Sequence, residues 1–156
     1  MPMLRPAFRD VSSELFAAQA EFLVVGAFAM SAHQFPRATG DLDVWVRPDP
    51  SNAQRVLNAL ARFGAPLDDY GITVDELSRK GLVFWLGNEP ERVDVMTAID
   101  GVSFEEAWKT RVYREVSGVV VPVLSLENLL KNKKSTGRAK DGFDAAWIEE
   151  ETQGER

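Results

Sequence analysis

Residues 24–46 read VVGAFAMSAHQFPRATGDLDVWV, and the rest of the chain is interpreted outward from them. Phe22 to Val25 is a short apolar strand that ends at Gly26. Ala27 to Gln34 has helical composition, and Pro36 stops it. Leu42 to Val46 then alternates as a strand, with Leu42, Val44 and Val46 on one face. Residues two apart on a strand point the same way, so Asp41 and Asp43 leave the opposite face together. Their α-carbons lie about 6–7 Å apart, and two carboxylates that close repel in an apolar setting unless a divalent cation lies between them. Hard oxygen donors of this kind suit Mg²⁺ or Mn²⁺. A solvated strand face is the plainer alternative for Asp-x-Asp. Val24-Val25-Gly26-Ala27 ends a strand in small residues where a helix begins, an arrangement that lets phosphate reach backbone N–H groups. An ordinary tight turn is the plainer alternative there.

A second strand repeats the oddity at Arg92-Val93-Asp94-Val95-Met96, since strands seldom favour Asp. Asp94 faces away from Val93 and Val95, and pairing with a neighbouring strand would set it beside Asp41 and Asp43. Three carboxylates are enough to hold two Mg²⁺ ions; an Arg92–Asp94 ion pair on a wet face is the alternative.

Around these strands the pattern predicts a helix over Val11 to Glu21, capped by Ser12 or Ser13 with Leu15, Phe16 and Ala20 apolar. A clear helix follows over Ser51 to Phe63 after Asp49-Pro50, stopped by Gly64. Ala65 to Arg79 reads as irregular, with a short helix at Val74 to Ser78. Gly81 to Leu86 and Arg92 to Ile99 form two strands of a hairpin-like unit. A helix capped by Ser103 and a hairpin of Tyr113 to Val116 with Val119 to Val123 come next. Ser125 caps a helix to Lys134, Gly137 breaks it, and Arg138 to Glu150 forms a last amphipathic helix through Phe143, Ala146 and Trp147, with a polar, frayed tail from Glu151. The order predicts an α/β (α+β) fold, a mixed sheet with helices mainly on one side, followed by C-terminal helices. A single domain over 1–156 is expected, with its α/β core near 8–124 and helices at 125–150.

Composition narrows the function. The 156 residues carry 24 acids against 18 bases, a net charge of −6, which argues against a broad duplex-DNA surface. The longest apolar run is far short of the roughly 20 residues a membrane helix needs, and the N-terminus has no secretory pattern. There is no cysteine and a single histidine, His33, so thiolate and multi-histidine metal sites are excluded. A cytoplasmic location is expected. Against the acidic average stand Lys131, Lys133, Lys134, Arg138 and Lys140 within ten residues. They read as a local anion site or, more simply, as a solvated helix end that complements the dipole.

The chain resembles the DNA polymerase β-like nucleotidyltransferase superfamily through VVGAFAMSAHQFPRATGDLDVWV, with its strand, small-residue turn, helix and Asp-x-Asp strand. Arg37-Ala38-Thr39-Gly40-Asp41-Leu42-Asp43 is similar to the Arg-x-Thr-x-Asp-hydrophobic-Asp run of small bacterial members, the AbiEii-type toxins and minimal nucleotidyltransferases among them. Leu126 to Lys131, then Gly137-Arg138 and Lys140-Asp141, resembles their C-terminal Lys/Arg-Asp helical motif. The resemblance implies nucleotidyl transfer, with Asp41, Asp43 and Asp94 as catalytic, metal-binding carboxylates and Asp94 as base for the acceptor hydroxyl. It implies nucleotide contacts from Gly26, Ala27, Arg37 and Thr39, and from Lys133, Lys134 or Arg138 without a choice among them. Ala27 stands where the family has Gly or Ser, which removes a hydroxyl contact. The implied partners are an NTP, an RNA (tRNA) or protein acceptor, and a cognate toxin or antitoxin. Two rivals remain: a catalytically silent nucleotide- or partner-binding module, and a metal-dependent phosphohydrolase.

Other residues take plainer readings. His33 is expected to pack or hydrogen-bond, Asp141 to pair with Arg138 at i, i+3, and Trp45, Trp85, Trp108 and Trp147 to sit in the core or against helices.

Overall fold

A computed structural model describes residues 6–37, 41–88, 91–116 and 119–154, the side chain of Val116 excepted. The strands are β1 (Phe22–Val25), β2 (Leu42–Val46), β3 (Val83–Leu86), β4 (Val93–Met96), β5 (Val112–Val116) and β6 (Val119–Val123). They form one six-stranded mixed sheet in the order β3-β4-β2-β1-β6-β5. β1 runs antiparallel to β2, while β2 runs parallel to β4 and β1 parallel to β6.

The helices are α1 (Pro6–Ala17), α2 (Gly26–Ala32), α3 (Pro50–Phe63), α4 (Leu67–Tyr70), α5 (Val74–Leu77), α6 (Phe104–Lys109), α7 (Leu126–Ser135) and α8 (Ala139–Gly154). Side-chain alternation splits the sheet into two faces. Val24, Leu42, Val121 and Val123 meet Ser12 of α1 and Phe28 and Ala32 of α2, and Phe8 and Phe28 join the two helices edge to face at 5.5 Å. α3 packs on α1 and β2 and starts where the sequence predicts, with the Asp49 carboxylate accepting from Asn52 N at 2.7 Å. On the other face Trp45, 1% exposed, packs against Phe104 of α6 at 5.0 Å. No helix among the described residues is long and apolar enough to cross a membrane.

Three expectations are corrected. α1 begins at Pro6 and buries Phe8, Val11, Ser12 and Leu15. Ser12 is therefore interior, its hydroxyl donating to Phe8 O at 2.9 Å rather than capping, and Phe16 is 39% exposed. α8 runs on through the expected frayed tail to Gly154 and is rotated relative to its predicted stripe. It buries Asp141, Asp144, Ala145 and Ile148 while Phe143 is 73% exposed, because the two aspartates find cations inside. Trp85 is 57% exposed instead of buried, since β3 is an edge strand and Trp85 points to the face its helices leave open.

Candidate active site

The parallel pairing of β2 and β4 sets the site. Its register places Asp43 directly beside Asp94 and Leu42 beside Val93, so one face of the pair is apolar and the other acidic. β1 lies across β2 with Val25 opposite Asp43, and the chain turns into α2 at Gly26. Gly26 has φ +69°, and a Cβ built there would overlap Asp43 Oδ2, so both the turn and the carboxylate demand glycine. α7 and α8 close the opposite side. A cleft of about 540 Å³ opens between them, lined by Gly26, Ala27, Arg37, Asp41, Asp43, Asp94, Asp100, Lys133, Arg138, Lys140, Asp141 and Asp144, among others.

The acidic floor is under electrostatic tension. Burial, then Asp94 and Asp41 beside it, pushes the Asp43 carboxyl up to about 7. Arg92 relieves part of the charge. Its Nε and Nη2 donate to both Asp94 oxygens at 2.7 and 2.9 Å, and Nη2 lies 3.5 Å from Asp41 Oδ2. The ion-pair reading of Asp94 is thus correct, and it coexists with the convergence of the three carboxylates on one cleft. Asp41 Oδ1 is buried with no hydrogen-bond partner. Among the described residues no three acidic or imidazole side chains close round a single point as a finished ion site. The donor chemistry nonetheless fits a hard divalent cation: an orphaned buried carboxylate oxygen and a neighbour whose ionisation is opposed by its surroundings.

The helical wall is neutralised internally. Lys133 is 9% exposed, and its Nζ lies 2.9 Å from Asp141 Oδ1 and 3.3 Å from Asp144 Oδ2. The expected solvated helix end is therefore wrong for Lys133, which α7 turns inward. Burial pushes the Asp141 carboxyl up, yet Thr136, Lys133 and Arg138 together hold it below its ordinary value. Its predicted pairing with Arg138 is present at 2.8 Å. Asp144, fully buried, has Arg37 Nη1 at 3.5 Å and no hydrogen bond to either oxygen.

Of the residues singled out in the sequence, Gly26, Ala27, Arg37, Asp41, Asp43, Asp94, Lys133 and Arg138 meet in the cleft. Lys134 does not: it is outside the lining and pairs with Glu149 at 2.7 Å. Thr39 lies outside the described residues. His33 donates from Nε2 to Leu124 O at 2.7 Å, a structural tie between α2 and the end of β6, and burial keeps its pKa low. Lys140, named with the basic cluster, also lines the cleft, whereas sequence reasoning missed Asp144, Asp100 and Asn132. The i, i+3 spacing of Asp141 and Asp144 after a lysine-rich turn was the available signal for Asp144, masked by the apolar pull of Phe143 and Trp147. Asn132 joins the wall to the loop after β4, donating to Asp100 O at 2.9 Å.

No family model matches this chain, and no curated protein is similar to it by sequence. Among solved structures it is similar to a protein of Thermotoga maritima described as a "putative nucleotidyltransferase", with TM-score 0.60 and 19% identity over 95% of this chain and 96% of that one. The two share a nucleotidyltransferase-like fold across almost their whole lengths.

Proposed function

We propose that this chain is a Mg²⁺-dependent nucleotidyltransferase that moves a nucleoside monophosphate from an NTP to a hydroxyl of an RNA or protein acceptor. The observation that carries this reading is the β2–β4 register, which sets Asp43 and Asp94 side by side with Asp41 on the same acidic face. Asp41, Asp43 and Asp94 would hold the divalent ion, which supplies charge neutralisation at the phosphates and lowers the pKa of the attacking hydroxyl. Asp94 would take the proton from that hydroxyl, the role the resemblance assigns to it. The acceptor oxygen then bonds to the α-phosphorus, the bond from that phosphorus to the bridging oxygen breaks, and pyrophosphate leaves. Gly26 and Ala27 let phosphate approach the backbone, and Lys133, Arg37 and Arg138 exchange their aspartate partners for phosphate oxygens. Catalysis of this kind rests on positioning and electrostatics. A cytoplasmic toxin–antitoxin setting belongs to the same proposal, and the resemblance of residues 24–46 is its support.

The test is incubation with each α-labelled NTP, Mg²⁺, and crude tRNA or a candidate partner protein. Label is expected in an acceptor with the wild type and absent with Asp43→Asn. Free nucleotide without labelled acceptor would point to a phosphohydrolase, and transfer by Asp43→Asn at the wild-type rate would overturn the assignment.

A further inference from the structure

The two edges of the sheet differ in how they are guarded. β5 carries Arg114 and Glu115 in mid-strand, the charges by which natural edges repel further strands. β3 reads Val83-Phe84-Trp85-Leu86 and carries none. Phe84 and Leu86 face the helices and are buried, whereas Val83 and Trp85 are 58% and 57% exposed on the face that holds Asp94. An uncharged edge with apolar side chains on its open face is a template for another strand, whose backbone would pair with its outward N–H and C=O groups.

The occupant is indicated by self-complementarity. Antiparallel pairing must keep paired residues on one face, so Trp85 meets a residue of its own parity. A two-fold axis through Phe84 sets Trp85 against Val83 of a second copy, twice, and aromatic against β-branched is a favourable cross-strand pair. The flanks agree in charge. Lys80 precedes β3 and Glu91, whose N–H donates to Asn88 O at 2.9 Å, follows it, both exposed, so antiparallel pairing brings each copy's Lys80 beside the other's Glu91. We propose that β3 pairs with β3 of a second copy of this chain, forming an isologous dimer with one continuous sheet.

The consequence concerns the site. Trp85 is the direct cross-strand neighbour of Asp94, and Val83 that of Met96. In the dimer the row Asp94, Trp85, then Val83 and Met96 of the second copy is continuous on one face. The two acidic floors then stand about 15 Å apart, three inter-strand steps of about 4.8 Å. Each copy's Val83 and Met96 thus extend the face on which the other's Asp94, the proposed base, stands. This consequence rests on the nucleotidyltransferase reading; the dimer itself does not.

Sedimentation equilibrium of the full chain over a wide concentration range tests it. The wild type is expected to rise toward twice the chain mass, while Trp85→Lys and, separately, Val83→Glu stay at one chain mass. Both positions are exposed, so unchanged thermal melting is expected, and either variant suffices if the other misfolds. Since the chain has no cysteine, the double variant Val83→Cys/Trp85→Cys is expected to give a disulfide-linked dimer under mild oxidation. A wild type at one chain mass throughout overturns the proposal and leaves the edge to a strand of another protein. So does Trp85→Lys associating as strongly as the wild type. NTP binding measured on the same samples separates this result from the fate of the catalytic assignment.

Discussion

On the strand floor of the cleft, burial and two neighbouring carboxylates raise Asp43 to about 7. On the helical wall of the same cleft, three donors hold the equally acidic Asp141 below its ordinary value. The residue type is the same and the surroundings are opposite. The wall is an ion-pair cluster, its lysine and aspartates brought in together by α7 and α8, in which Asp141 is fully hydrogen-bonded and Asp144 is ion-paired alone. The floor has Arg92 against three carboxylates and an orphaned Asp41 oxygen. A divalent cation has most to gain on the floor, because the wall already sets Lys133, Arg37 and Arg138 against two carboxylates. An anion arriving at the wall must displace aspartates from cations already held in place, which positions those cations without leaving them unneutralised beforehand.

The sharpest break of this contrast is Lys133→Ala, which takes from buried Asp141 and Asp144 the one cation they share and leaves Asp144 with Arg37 at 3.5 Å. A loss of about 3–5 kcal/mol is expected from removing one partner of a buried cluster, read as a fall in the denaturant midpoint. Lys134→Ala, an exposed pair one residue away, is expected to cost at most about 1 kcal/mol. Equal effects from the two lysines would show that the wall is not an interior cluster.

Gly26→Ala attacks the floor instead. A non-glycine residue in the left-handed region costs about 1–3 kcal/mol, and here its Cβ also displaces the Asp43 carboxylate. Lower thermal stability together with weaker Mn²⁺ binding by calorimetry is expected; unchanged metal binding would uncouple the turn from the carboxylate.

The smallest effect is on pH. The unfolded Asp43 carboxyl ionises near 3.8 and the folded one near 7. The folded state therefore holds this proton more tightly, and the stability it brings is complete below about pH 4 and lost as pH rises through 7. In EDTA, Asp43→Asn is expected to be more stable relative to wild type as pH climbs from 5 to 8. His33, whose pKa burial lowers, contributes in the opposite sense in both proteins, so it cancels in the difference. A pH-independent difference would show that Asp43 ionises normally.

Much of the floor was legible in the sequence because strand alternation is local: Leu42, Asp43, Val44 and Asp94 declare their faces by a period of two. The caps at Ser103 and Ser125 were legible for the same reason, and each accepts from the backbone N–H three residues on. The wall was not. On α8 the apolar residues Phe143, Ala146 and Trp147 suggested one stripe, while the buried stripe contains Asp141 and Asp144. Hydrophobic periodicity fails where charges bury each other, because the compensating group, Lys133, comes from a different helix. Trp85 failed for a related reason: its size predicts burial, and only the strand order shows that it stands at an edge with no helix above it.

The sequence by itself determined the elements around residues 24–46, their polar and apolar faces, the glycine turn and the identity of three acidic side chains, because each follows from interactions within a few residues along the chain. The tertiary structure alone decided that β4 lies parallel to β2 in the register joining Asp43 to Asp94. It also decided that Lys133 turns inward while Lys134 turns out, and that β3 is left at the edge. Those outcomes depend on how distant segments share one sheet and one cleft, where pairing register and charge compensation are settled jointly rather than by any local pattern.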